Sequence, residues 1–483
     1  MRPVLRFTWP AIAVLSAACA VGPGYERPPT PTPAAYRGDT LTVVDDSAAL
    51  IPPLVPPAPT PADTVSLTWD QTLGDSVLLA LMDTARAHNQ DLIATIAVTR
   101  EFQARYAIDR SGFFPQIGLS GLGGTARTKV IGQPGSTGDL YEASADAYWE
   151  LDLWGRVRRT SEAGKASYLA RTEELRGAEL SLAAAVATGY FSLIRLDQQV
   201  AVAVRTLAAR QATAELSRAR YREGQVSKLD VLQFESQVQE TQAQLASLSR
   251  LRSEQETALS VLVGLPPRSL PRGLPLAEQV ANFDIPQGLP SDLLSRRPDV
   301  RAAEEDLHAA TARVGIAWGN RLPLVSLTGQ YGYVSDDLSS LIQDSNNTNR
   351  LFLGITVPLF TGGRLQGEVN VAEAQVEQAR ARYEQVILLA LQDVEDALVS
   401  VRTSREQASA QGAQVVTLRE SLTLVEHRYE NGLASYLEVL DAQRSLYNAE
   451  LSLAQAQALE LASGVRLYKA LGGPWSQLGT ARD

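Results

Sequence analysis

Two periodicities of apolar residues alternate along the chain. The first is seven. Val186, Leu193, Val200, Leu207, Ala214 and Tyr221 lie seven residues apart, and Val394, Val401, Ala408, Val415, Leu422 and Tyr429 repeat them 208 residues later. A sustained seven-residue spacing predicts helices that pack as coiled coils with a left-handed supercoil. The second periodicity is two. In 141–153 the odd positions are apolar or aromatic and the even ones mostly acidic or hydroxylic. Ile117, Leu119 and Gly121 continue the scheme, as do Val325, Leu327, Gly329, Tyr331 and Tyr333, and Leu351, Leu353, Ile355, Val357 and Leu359. Alternation over about 10 residues predicts strands with one apolar and one wet face, long enough to cross a bilayer when tilted. Four such strands form two hairpins, with polar loops near 124–139 and 335–349. Carboxylates at 142, 146, 150 and 152 are expected on one face of the second strand, towards water.

Proline bounds the helical tracts. None lies between Gly135 and Leu265, or between Leu359 and Gly473. The expected helices span 70–112, 157–222 and 228–263, then 291–319, 365–430 and 436–471, the longest reaching roughly 100 Å at 1.5 Å per residue. Gly224 and Gly432 interrupt the pattern and mark hairpin tips. Around them Arg220–Leu232 matches Arg428–Leu440 at seven of 13 positions, again 208 residues apart. The body is therefore a duplicated unit, its first copy 69–276 and its second 277–473, followed by a tail at 474–483.

Composition narrows the partners. The 483 residues carry a net charge of −10, and no Lys/Arg run stands ready to meet phosphates, which excludes a nucleic-acid binder. The single cysteine excludes an internal disulfide and a multi-cysteine metal site. His88, His308 and His427 are scattered, without an HExxH spacing, and no Gly-x-Ser-x-Gly elbow accompanies them, so neither enzyme nor cofactor is expected. Arg2 and Arg6 precede a short apolar run that ends at Ala18, which reads as a signal peptide over 1–18. Leu15-Ser16-Ala17-Ala18-Cys19 resembles a bacterial lipobox, although Ser16 stands where an aliphatic residue is usual. Cys19 is thus expected to carry a covalent lipid, and Ala20 after it implies sorting to the outer membrane. Residues 20–68 hold 11 of the chain's 25 prolines, so 19–68 reads as an extended tether. Four strands cannot close a membrane barrel, whose smallest examples have about eight, so an oligomer is required.

Together these residues resemble the outer-membrane efflux proteins of the TolC/OprM type, in the lipoprotein subfamily that serves resistance–nodulation–division pumps. The likeness rests on Cys19 with Gly22-Pro23 and Tyr25; on Trp149-Glu150-Leu151-Asp152-Leu153-Trp154-Gly155-Arg156; on Arg296-Arg297-Pro298-Asp299-Val300; on Leu437 to Arg444; and on Tyr468 to Gly473 with Trp475. Gly24 and Pro474 depart from the usual Asp and Gly. The resemblance implies an α+β membrane protein: a homotrimer whose twelve strands, four per chain, form an outer-membrane β-barrel continuous with a long α-helical coiled-coil periplasmic barrel, with 265–290 as a belt outside it. It implies a passive channel of a tripartite efflux system, fed by an inner-membrane RND-type pump through a periplasmic adaptor. A type I protein-secretion duct is the close alternative, and a purely structural coiled-coil lipoprotein the distant one. The adaptor would meet the tips Gly224-Gln225-Val226-Ser227 and Gly432-Leu433-Ala434-Ser435. The periplasmic gate would comprise Leu437, Asp441 and Arg444, with Arg428 and Tyr429 as latch partners across helices. Three Asp441 carboxylates near one axis would favour cations, and Leu437 would form an apolar constriction.

Overall fold

The structure, a computed structural model, describes residues 20–28, 73–128, 131, 136–279 and 296–473. The signal peptide, Cys19, most of the tether, belt residues 280–290 and the tail with Trp475 lie outside the described residues. The elements in chain order are α1 (Ser76–His88), α2 (Gln90–Ser111), β1 (Gln116–Thr128), β2 (Ser136–Glu150), α3 (Arg156–Arg222), α4 (Lys228–Leu262), α5 (Pro298–Gly319), β3 (Leu324–Ser335), β4 (Asn347–Thr356), α6 (Arg364–Glu430) and α7 (Tyr436–Ala470). The bounds of α2, α3 and α4 recur 208 residues later in α5, α6 and α7. The chain divides into two compact units, one built from 1–30, 97–173 and 301–385, the other from 31–96, 174–300 and 386–483. Each unit draws on both sequence repeats, and α3 and α6 contribute to both units.

The first unit holds the sheet, an antiparallel meander in the order β1-β2-β3-β4. Ile117 pairs with Ala147 and Val325 with Ile355, so the two hairpins share one register at the 208-residue offset. Odd residues pair with odd across all three ladders, for example Ala145 with Leu119 and with Tyr331. Because side chains alternate between faces, the odd set forms one apolar face and the even set a mostly polar one. On the polar face Gln330 donates to Glu142 at 2.9 Å and to the Ser144 hydroxyl at 3.2 Å, while Ser120 donates to Asp146.

The expected row of four carboxylates is corrected at its end. β2 stops at Glu150, and Asp152 lies beyond it, where its carboxylate accepts the Val157 and Arg158 N–H groups, each at 2.9 Å. It satisfies the free donors at the start of α3, a use that competes with continuing the strand. Glu150 is paired with Arg156, so Glu142 and Asp146 carry the acidity of that face.

The second unit is a coiled-coil bundle with a core around Leu78, Val186, Tyr190, Leu193, Leu259 and Val465. The seam is buried at Val186, Leu193 and Ala214, and at Val394, Ala408, Val415 and Tyr429. It fails at Tyr221, which is 43% exposed, because Tyr221 sits in the last turn of α3 beneath the Lys228 ammonium. One window of α3 is apolar enough by length and composition to cross a membrane. Of that window 39% is buried inside the chain.

The expected helix over 70–112 is two helices. Asn89 breaks it with an extended backbone, accepts the Leu92 N–H at 2.9 Å, and donates to the Leu262 carbonyl at 2.8 Å. An Asn that caps the next helix and ties down the end of α4 outweighs the helical propensity around it. Asp75 caps α1 from the other side and is itself a hub. Its carboxylate accepts from the Val77 N–H at 2.9 Å, the Tyr190 hydroxyl at 2.8 Å, the Leu274 N–H at 3.1 Å and Gln279 Nε2 at 2.7 Å.

Candidate channel entrance and anchoring strap

The two helical hairpins turn by the same device. Gly224 and Gly432 adopt φ of +74° and +71°, in the left-handed region that disfavours a side chain. The Gly224 N–H donates to the Tyr221 carbonyl and the Gln225 N–H to that of Arg220. Gly432 and Leu433 repeat this onto Tyr429 and Arg428. The pattern satisfies the last carbonyls of α3 and α6 as a Schellman motif. Each returning helix opens on a capping box, Ser227 with Asp230 and Ser435 with Glu438. Hydrogen bonds from the Ser435 N–H and hydroxyl hold the Glu438 carboxyl below its ordinary pKa. The turns are thus fixed by local bonds and leave their outer surface free. Gly224, Gln225, Ser227, Gly432, Leu433 and Ser435 are exposed, and Val226 and Ala434 half-buried.

The gate candidates lie just beyond the second tip. Leu437, on α7, is an apolar side chain left 55% exposed. Asp441 accepts from Arg444 Nη2 at 2.8 Å, one turn away on the same exposed face. Arg428 donates to the Leu433 carbonyl at 3.2 Å and so holds its own tip. Tyr429 is buried beside Phe234, 6.5 Å between rings, with the Arg220 guanidinium 4.9 Å from its ring centre. Its hydroxyl is buried without a hydrogen-bond partner among the described residues. Within one chain the five candidates therefore gather at one tip, with Leu437, Asp441 and Arg444 facing outward.

A second constellation was visible in the sequence only as a motif. Residues 20–28 form a strap in the first unit. The Val21 N–H donates to the Trp154 carbonyl at 3.0 Å, and Arg159 donates to the Gly22 carbonyl at 3.3 Å. Tyr25 stacks on His308 at 4.8 Å and donates to Glu304 at 3.2 Å. Burial, and then the neighbouring Glu304, push the Tyr25 hydroxyl above its ordinary pKa. Arg27 pairs with Glu304 at 2.9 Å and donates to the Tyr383 hydroxyl at 3.3 Å. Gly22 has φ of +99°, and a Cβ there would lie 2.5 Å from the Gly315 Cα. Gly22→Val is accordingly expected to lift the strap. Limited proteolysis should then release the N-terminal segment at least several-fold faster than from wild type, with the helical core unchanged.

The chain matches the outer membrane efflux protein family over residues 81–265 and again over 289–473, two matches displaced by 208 residues at both ends. The solvent efflux pump outer membrane protein SrpC of Pseudomonas putida is 36% identical over 409 residues, 83% of this chain and 86% of SrpC. The outer membrane protein OprJ of Pseudomonas aeruginosa is 30% identical over 482 residues, 99% of this chain and 97% of OprJ. Among solved structures, the open-state outer membrane channel MtrE of Neisseria gonorrhoeae superposes with a TM-score of 0.81 at 29% identity, covering 94% of this chain and 98% of MtrE.

Proposed function

Because the chain belongs to the outer membrane efflux protein family, we propose that its trimer is the passive outer-membrane conduit of a tripartite pump, carrying small molecules out of the periplasm. The observation that carries this reading is the family match over both repeats, the region that holds the amphipathic sheet and the capped coiled-coil hairpins. A periplasmic adaptor docks on the exposed turns at Gly224–Ser227 and Gly432–Ser435, and an RND-type inner-membrane pump loads the channel. The relatives' names speak of efflux of solvents, toluene and antibiotics, which favours efflux over protein secretion. The chain performs no catalysis in this role. Its part is to hold a water-filled path through the bilayer.

Cys19 carries the lipid anchor in this reading. Support comes from its neighbour, since Ala20 packs against Gly155, five residues past the end of β2. Ala20, the residue next in sequence, thus lies at the connection from β2 to α3. Mass spectrometry of the mature N-terminus tests this; an unmodified Cys19 or a start elsewhere overturns it.

Leu437, Asp441 and Arg444 form the resting gate. Three exposed Asp441 carboxylates around the trimer axis attract cations and repel anions, and their bonds to Arg444 stiffen the ring. Asp441→Ala is expected to raise single-channel conductance in planar bilayers by about two-fold or more and to reduce the preference for cations. Unchanged conductance and selectivity would remove Asp441 from the gate.

A further inference from the structure

The outer edges of β1 and β4 have no strand partner among the described residues. In a bilayer every backbone N–H and C=O needs a partner, so these edges must meet in the closed trimeric barrel. The internal duplication specifies how. β1 and β3 are counterparts 208 residues apart, as are the paired positions of β2 and β4. The β2–β3 ladder joins the second strand of one repeat to the first strand of the next. The β4–β1 contact between subunits joins the same two kinds of strand. Shifting Ala145↔Tyr331 and Trp149↔Leu327 by the repeat gives Leu353 opposite the partner's Gly123, and Val357 opposite the partner's Leu119.

We infer that β4 of one subunit pairs with β1 of the next in this register, and that Phe352 and the partner's Leu122 form an apolar lock across each seam. The inference rests on the trimeric channel reading and adds the alignment of its subunits.

Three observations carry it. First, the register keeps odd residues opposite odd ones, so the exposed Ile117 and Leu119 join the apolar face of Leu351, Leu353 and Ile355 without a break. A one-residue slip would turn that face inward. Second, Pro358 lies close to this edge, yet it costs no seam bond. Odd residues of β2 point their N–H towards β3, as Leu151 does to Val325 at 2.9 Å. The counterpart of Leu151 is Leu359. Pro358 is the counterpart of Glu150, whose N–H points the other way, so its missing donor faces away from the seam.

Third, the polar face changes character at the seam in a matched way. Inside the chain, Ser144 sits opposite Gly332 and bonds Gln330 at 3.2 Å. The counterparts of Ser144, Gly332 and Gln330 are Phe352, Gly124 and Leu122. A polar pair beside a glycine becomes an apolar pair beside a glycine. Gly332 is tightly packed on Ser144, with a Cβ 2.6 Å from the Ser144 Cα, whereas Gly124 has open space in the single chain. The open space is where the partner's ring belongs. Phe352 and Leu122 are 62% and 59% exposed in the single chain, and the register makes them diagonal neighbours across the ladder.

Cysteine pairs test the register. Ser120 and Thr356 are counterparts of the paired Thr328 and Tyr148. They fall at a non-hydrogen-bonded position, where Cα atoms lie about 4.5 Å apart and a disulfide fits. The trimer carrying Ser120→Cys and Thr356→Cys is expected to give reducible covalent dimers and trimers under mild oxidation. Ser120→Cys with Gly354→Cys, or with Pro358→Cys, represents a two-residue slip and should not link. Single-cysteine variants, which retain Cys19, set the background. Preferential linking of a slipped pair in an intact trimer overturns the register and leaves the channel reading standing. So does an intact trimer whose unlinked thiols both react with maleimide. The lock is tested separately, without cysteines. Phe352→Ser and Leu122→Ser should each lower the temperature of trimer dissociation, and the double variant should lose clearly less than the two losses combined. Additive losses, or none, overturn the lock.

Discussion

An Asp75→Ala trimer is expected to lose about 3–5 kcal/mol per subunit and to melt well below wild type. The substitution removes the cap of α1, strands the buried Tyr190 hydroxyl and the Leu274 N–H, and takes one of the two bonds of the Gln279 amide. Circular dichroism of the detergent-solubilised trimer reads the loss; a melting curve indistinguishable from wild type would reduce the hub to surface decoration. The effect also has a pH signature. Burial pushes the Asp75 carboxyl up, but the bonds from Gln279, Tyr190, Val77 and Leu274 outweigh it and leave the pKa below its ordinary value. A carboxyl depressed by folding contributes stability above its unfolded pKa of about 4, and that contribution is lost as pH falls through the folded value. Asp75→Asn should therefore be less stable than wild type at neutral pH, and the gap should narrow in acid.

Arg297→Ala is the second large effect, with an expected loss of about 2–4 kcal/mol. Arg297 is 9% exposed on its side chain and bonds the carbonyl of Ala470, the last residue of α7, at 3.0 Å. It also donates to Ala390 at 3.4 Å, Asp299 at 2.7 Å and Asp393 at 2.9 Å. The guanidinium thus gathers the start of α5, the middle of α6 and the end of α7. Its partners Asp299 and Asp393 remain half exposed, so most of the loss comes from the orphaned Ala470 carbonyl at the helix end rather than from the ion pairs. Lysine keeps the charge but not the planar fork, so Arg297→Lys should recover less than half. Equal melting temperatures for Lys and Arg would show that charge alone suffices.

The features that repeat were legible in the sequence. The heptad seam, the two tips and the period-two strands each appear twice, and a doubled signal at one offset is hard to produce by chance. The bounds of α3, α4, α6 and α7 follow within one residue, because glycine and the capping Ser-x-x-acid mark them locally. What escaped depends on single side chains reaching across the fold. Asn89 divides a helix because Leu262 waits for its amide, and nothing near residue 89 announces that. Asp152 looks like one more even-position carboxylate until the start of α3 claims it. Tyr25 and Arg297 stood out as motif residues, but Glu304, His308 and the Ala470 carbonyl that give them purpose lie far along the chain. Asp441 and Arg444, by contrast, bond each other one turn apart, a pairing the sequence spacing already allows.

The duplication leaves the acidic and basic members of the proposed gate in one repeat only. Asp441 and Arg444 have Gln233 and Ser236 at their counterparts 208 residues earlier, whereas Leu437 keeps Leu229. A hexamer of a single-repeat ancestor would carry every side chain of the tip six times. The fused trimer carries the carboxylate three times, with a neutral amide at each counterpart. A point mutation in one repeat likewise enters the assembly three times rather than six. Fusion thereby converts a sixfold scaffold into a threefold one whose alternate positions are free to evolve separate duties.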